Sequence, residues 1–168
     1  MSEAEKRKLE HQAARLFMRL YEKQYGVRFR HIWHNQPRKP DVSCYLGEQK
    51  LDLEIAHLYG SEQEAMHRLG RELSAQTRHE LSHLHSTPPD HRLLEALNRL
   101  LALKSNKCYH THRVWLIIRN ANPLWTTQDF EQNRHLIKPV QPHPFEQIWL
   151  IGNFEGQDER LLRLDSAS

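Results

Sequence analysis

Two cysteines in 168 residues are too few for a disulfide framework. Cys44 and Cys108 also lack the spacing of a metal-binding pair. Both fall in apolar-patterned stretches and are expected as small buried thiols. No apolar run approaches the length needed to span a bilayer. The opening stretch MSEAEKRKLEHQ is charged and has no signal-peptide core. A reduced, cytoplasmic, soluble protein with no membrane partner is the resulting expectation. There is no internal repeat and no low-complexity tract. A strong charge bias is also missing. The formal net charge is +3, with a sequence pI near 9.0 and 13 histidines in addition. That balance permits a nucleic-acid partner without requiring one.

What is present reads as one folded domain over residues 1–168, with a peripheral tail from 155. Hydrophobic residues make up 38% and charged residues 27%, which lies outside the disordered range. Ser2 with Glu3 and Glu5 opens a helix, and Leu9, Ala13, Leu16, Phe17 and Leu20 share one of its faces. Gly26 stops it. VRFRHIWH alternates as a strand, with Val27, Phe29 and His31 on one side. DVSCYL and KLDLEIA form a hairpin around GEQ, and Asp52, Glu54 and Ala56 share a face of the second strand. Ser61 with Glu64 opens a long helix, and STPPD ends it. Asp90 caps the next helix, whose Leu93, Leu94, Leu97, Leu100 and Leu101 point inward. RVWLIIRN has the continuous apolar character of a strand buried on both faces. A short helix capped by Thr126 or Thr127 follows, then the strand FEQIWLIGNF, and the tail has a helical look. The order is α-β-β-β-α-α-β-(α)-β, a mixed sheet flanked by helices.

The stretch KPDVSCYLGEQKLDLEIAH carries three acids inside that hairpin. Pro40-Asp41, followed by Glu54 beyond a glycine turn, resembles the metal-binding motif of the PD-(D/E)XK nuclease superfamily. LLALKSNKCYHTHRVWLII is similar to the helix, lysine, tyrosine and buried strand of many small members, and FEQIWLIG to their late core strand. The resemblance spans roughly residues 5 to 152 and implies a restriction-endonuclease-like α-β-β-β-α-β core. It also implies cleavage of DNA with Mg²⁺ or Mn²⁺, held by Asp41 and Glu54. Hard cations of this kind take oxygen ligands and activate a water. Family members often act as dimers, so a homodimer is a further expectation. The motif departs from the family at Ala56, where a lysine usually stands. Lys104 is the favoured replacement, with Lys107 and Lys50 as the other candidates. Glu10 is the first-helix glutamate that best matches the family, and Glu22 is the alternative. The same fold without catalysis, serving as a nucleic-acid or protein-binding module, is the competing reading that Ala56 supports.

A second motif points elsewhere. His79-Glu80-Leu81-Ser82-His83 fits H-E-x-x-H, in which two histidines one helical turn apart share zinc and the glutamate acts as base. With 13 histidines in the chain, chance matches to so short a motif weigh against a zinc hydrolase. The positions that would extend the motif hold Ser86 and Pro89. A His-rich solvent-facing helix is the plainer reading. Arg28, Arg30, His31, His34, Arg38 and Lys39 cluster before Asp41, with Arg68, Arg71 and Arg78 on the following helix. They could contact phosphates near the metal under the nuclease reading, but solvated surface charge is the plainer reading for any one of them. Trp115, Trp125 and Trp149 belong in the core. Trp33, set among histidines and arginines, is the one tryptophan placed to stack on a base.

Overall fold

The computed structural model describes residues 2–35, 40–60, 89–154 and 160–166, with only the backbone of 89–91. The long helix expected from Ser61, with the H-E-x-x-H residues on it, lies outside these residues, as do Arg38 and Lys39. Elements are numbered over the described chain. They are α1 (Glu3–Tyr25), β1 (Phe29–His34), β2 (Val42–Leu46), β3 (Gln49–Leu58), α2 (Pro89–Ser105), β4 (Val114–Asn120), α3 (Thr127–Gln132), β5 (Gln147–Ile151) and β6 (Leu162–Arg163). A 3₁₀ turn, Arg134–Leu136, follows α3.

The strands make one six-stranded mixed sheet in the order β1-β2-β3-β4-β5-β6. β1, β2 and β3 run antiparallel, β3, β4 and β5 run parallel, and β6 returns antiparallel to β5. Alternation along the strands sends side chains to opposite faces. Leu51, Leu53, Ile55, Trp115, Ile117 and Trp149 join Ala13, Phe17 and Leu20 of α1 in one core. Ala56, Leu58, Leu116, Ile118 and Leu150 join Leu93, Leu97 and Leu101 of α2 and Phe130 of α3 in the other. The sheet is therefore flanked by helices on both faces, and β3 and β4 are buried on both sides. Among the described residues no helix is long and apolar enough to cross a membrane.

The caps follow the sequence closely. Ser2 and Glu5 form a capping box at the start of α1, and Gly26 ends it at φ 70°, in the left-handed region that glycine adopts without steric cost. Thr126, not Thr127, caps α3 in a box with Asp129. Gly47, at φ 64°, begins the turn that joins Leu46 to its partner Gln49.

Several expectations need correction. The tail has no helix among residues 160–166. Leu162–Arg163 instead forms the edge strand β6, and its neighbours Leu161 and Leu164 drop into the two cores. That 3-residue spacing looked helical but serves two faces of a strand edge. The simple alternation of β1 is broken by a bulge between Arg30 and Trp33, with His31 at φ 52°; the extra residue turns Trp33 and His34 to faces a regular strand would not give them. α2 begins at Pro89, one residue ahead of the expected cap Asp90. Cys44 is buried as expected, but Cys108 is exposed, because it sits in the open loop after α2 and not in a strand.

Candidate active site

The hairpin register decides where the acids lie. Val42 pairs with Leu53 and Ser43 with Asp52. Asp41, one residue before β2, therefore stands opposite Glu54 on the face that turns toward α2. Asn35 fixes the entry to β2. Its side chain donates to the Pro40 carbonyl at 2.9 Å and to Ser43 Oγ at 2.7 Å, and its backbone N–H donates to the Asp41 carbonyl at 3.1 Å. Asp41 Oδ2 in turn accepts the Ile55 backbone N–H at 2.8 Å, which ties the carboxylate to β3.

Four residues singled out from sequence converge here. The carboxyl groups of Asp41 and Glu54 lie within hydrogen-bonding reach of each other, and Glu10 reaches Asp41 from α1. Lys104, on the last turn of α2, brings Nζ to 3.8 Å from Glu54 Oε2. The other candidates do not join them. Glu22 sits near the far end of α1 and accepts the Phe29 backbone N–H. Lys50 pairs with Asp52 at 3.8 Å. Lys107 is exposed beyond the end of α2. At the motif position, Ala56 is 5% exposed and packed in the α2-side core. A lysine there would have to thread that core, whereas Lys104 approaches Glu54 from the helix above it.

The electrostatics of the cluster are unbalanced. Burial, with the hydrogen bond and negative charge of Glu54 beside it, pushes the Asp41 carboxyl up to about 8. Burial also raises Glu10, against the opposing pull of Lys6. Crowded carboxylates shift in this way because two like charges at close range cannot both ionise cheaply. Tyr109 donates its hydroxyl to Glu54 Oε2; burial, then that carboxylate, raises the phenol and keeps its proton in place. In the sequence Tyr109 stands out only as the tyrosine of the LLALKSNKCYHTHRVWLII stretch. Its role depends on the loop after α2 folding back over β3, for which no local signal exists.

No protein-family model, curated protein or solved structure matches this chain.

Among the described residues no group of three or more His, Cys, Asp or Glu side chains could by itself hold a metal ion. The donor set that suits Mg²⁺ is smaller, because this ion retains several waters and takes one or two carboxylates together with phosphate oxygens. Asp41 and Glu54 fit that requirement. They are hard oxygen donors on one face, and a divalent cation held there would offset the like charges that crowd the pair. Asp52, two residues along the same face, is different. It accepts from Ser43 Oγ and from Thr111 Oγ1, with Lys50 nearby. It is 2% exposed, so it is not a solvated strand acid.

On the α1 side, His34 stacks on His11 with ring centroids 3.2 Å apart. Burial lowers both, with nearby Arg15 adding to the effect. Between α1 and the carboxyl ends of β3 and β4 lies an open groove of about 430 Å³, lined in part by Leu9, Gln12, His57 and Arg119.

Proposed function

We propose that the protein is a Mg²⁺- or Mn²⁺-dependent phosphodiesterase acting on DNA, built on the PD-(D/E)XK plan with its lysine supplied by a helix. The single observation that carries this reading is the convergence of Asp41, Glu54, Glu10 and Lys104 at one end of the β2–β3 hairpin. Asp41 and Glu54 would hold the cation. An ion held there supplies positive charge against phosphate oxygens and lowers the pKa of a bound water. Tyr109 orients Glu54 through its hydroxyl, and Glu10 bears on the protonation of Asp41. The Lys104 ammonium stands where negative charge on the phosphate can be met, the part a motif lysine plays from β3 in the family.

The test is cleavage of plasmid and single-stranded DNA with Mg²⁺ or Mn²⁺, by the wild type and by Asp41→Ala. The wild type is expected to cut and the variant to lose at least about a hundredfold in rate. Equal activity in the two proteins would sink the assignment. A second reading rests on Ala56, whose burial in the α2-side core removes the lysine from its usual place. In that reading the same surface binds nucleic acid without cutting it, and salt-sensitive binding with no metal-dependent turnover favours it. Metal analysis of the purified protein addresses the His79-Glu80-His83 alternative, since bound zinc lost in His79→Ala supports a zinc hydrolase.

A further inference from the structure

The face of β3 that carries Glu54 continues outward past Asp52 to Lys50, and the strands beside it present a consistent set of side chains. Ser43 pairs with Asp52 and Tyr45 with Lys50, while across the β1 bulge Trp33 pairs with Ser43 and Arg30 with Tyr45. Directly paired residues project to the same side of a sheet. Trp33, Tyr45, Arg30 and Lys50 therefore share the face of the carboxylates. Trp33 is 39% exposed, and its ring lies 6.2 Å from that of Tyr45. His31 meets Tyr45 edge-on at 5.9 Å. Lys50 Nζ stands 5.8 Å over the Trp33 ring, with its side chain 53% exposed. An indole of this size on an edge strand costs solvation and contributes little to either core.

We infer that this strip is a stacking platform for a single-stranded segment of nucleic acid that leads into the Asp41–Glu54 site. The inference rests on the proposed phosphodiesterase reading and specifies its substrate. Exposed aromatic rings with interleaved cations are what unpaired bases and their phosphates require, since each base offers a π-face and each phosphate a charge. A duplex keeps its bases stacked inward and would leave Trp33 and Tyr45 without a role. The spacing also fits. At about 3.3 Å per residue, the Trp33–Ser43 row lies roughly 7 Å from Glu54 and the Tyr45 row roughly 13 Å, the pitch of successive nucleotides in an extended strand. A second copy of the chain is a poorer occupant, because a two-fold contact through this strip would set Arg30 and Lys50 close to their own copies.

The experiment is fluorescence-anisotropy binding of a labelled twelve-nucleotide oligo(dT) and of a blunt duplex of equal length, in buffer with chelator so that nothing is cut. Single-strand binding is expected to weaken roughly tenfold in Trp33→Ala and to persist largely in Trp33→Tyr. Duplex binding should change less than about twofold in either variant. Lys50→Gln should lower the salt slope of single-strand binding by about 0.7. If Trp33→Ala unfolds, Trp33→Tyr and Lys50→Gln carry the comparison. Single-strand affinity indifferent to Trp33 and Lys50, or a duplex preferred over oligo(dT), overturns the platform. A concentration-dependent dimer broken by Trp33→Ala, seen by sedimentation without DNA, also overturns it. Because cation is absent, the result separates from catalysis. Trp33-dependent binding without any Mg²⁺-dependent cleavage keeps the platform and removes the hydrolase, while cleavage with binding indifferent to Trp33 does the reverse.

Discussion

Asp52 and Glu54 stand two residues apart on one face of β3, both under a tenth exposed, in opposite surroundings. Asp52 is enclosed by donors. Two hydroxyls, from Ser43 and Thr111, point at its oxygens, and Lys50 stands outside them. Glu54 has Tyr109 and Lys104 on one side and a second carboxylate, Asp41, on the other, with Glu10 beyond. A buried acid that exists to hold a fold together is supplied with partners, because an unsatisfied buried charge is costly. A buried acid set against another acid costs stability at neutral pH and persists where something else uses the pair. The same strand thus carries one acid surrounded by donors alone and one that, besides its donors, is set against a second acid.

The largest effect expected from breaking this contrast is at Asp41. The folded-state carboxyl is raised to about 8, above the ordinary carboxylate value that the unfolded chain has. Between those two values the folded protein holds a proton that the unfolded chain releases. Stability of the metal-free protein should therefore fall as pH rises from about 4 toward 8, by up to a few kcal/mol at roughly 1.4 kcal/mol per unit. Asp41→Asn keeps an oxygen for the Ile55 N–H and removes the titration. Chemical denaturation in chelator should show a flatter pH profile and a variant more stable than wild type at pH 8. Added Mg²⁺ should raise the wild-type midpoint at that pH and leave the variant's unchanged. A parallel pH dependence in the two proteins would contradict the crowding of the acids.

Asp52→Ala should act in the opposite sense and somewhat less strongly. It strands the Ser43 and Thr111 hydroxyls without their acceptor, which should cost about 3 kcal/mol at any neutral pH, read from the same denaturation curves. A stabilised Asp52→Ala at pH 8 would show that the two acids are not the opposites described. At Lys104, alanine should slow cleavage about tenfold to a hundredfold with the midpoint of unfolding little moved, and arginine should recover part of the loss. Unchanged rates in Lys104→Ala would remove it from the site. The smallest change is expected for Tyr109→Phe, about 1 kcal/mol of stability, since Lys104 and Asp41 still face Glu54 when the hydroxyl is gone. A loss as large as that of Asp52→Ala would mean that Tyr109 matters to the fold more than to the orientation of Glu54.

Much of this arrangement is legible in the chain because its signals are local. Ser2, Gly26, Gly47 and Thr126 act through the turns they occupy. The alternation in KLDLEIA separates Leu51, Leu53 and Ile55 from Asp52, Glu54 and Ala56 without reference to anything distant. Once the turn lies at Gly47 and Glu48, strand pairing brings Asp41 opposite Glu54. The tail misled because Leu161 and Leu164 have a spacing that suits a helix, while β5 offers them an open edge on which each can reach a different core. The bulge at His31 carries no signal of its own. It exists because β1 must follow β2 from the Phe29–Leu46 pair to the His34–Val42 pair with one residue too many.

The sequence by itself determined the two amphipathic helices, the hairpin and the pairing of Asp41 with Glu54, since these depend on neighbours within a few residues or across one turn. Only the tertiary structure decided that Lys104 and Tyr109 meet Glu54 from 50 and 55 positions away in the chain, and that Thr111 satisfies Asp52. Those contacts depend on α2 lying across β3 and on the parallel pairing of β4 beside it. No local pattern specifies either, because both are selected by burial of a core shared among distant segments.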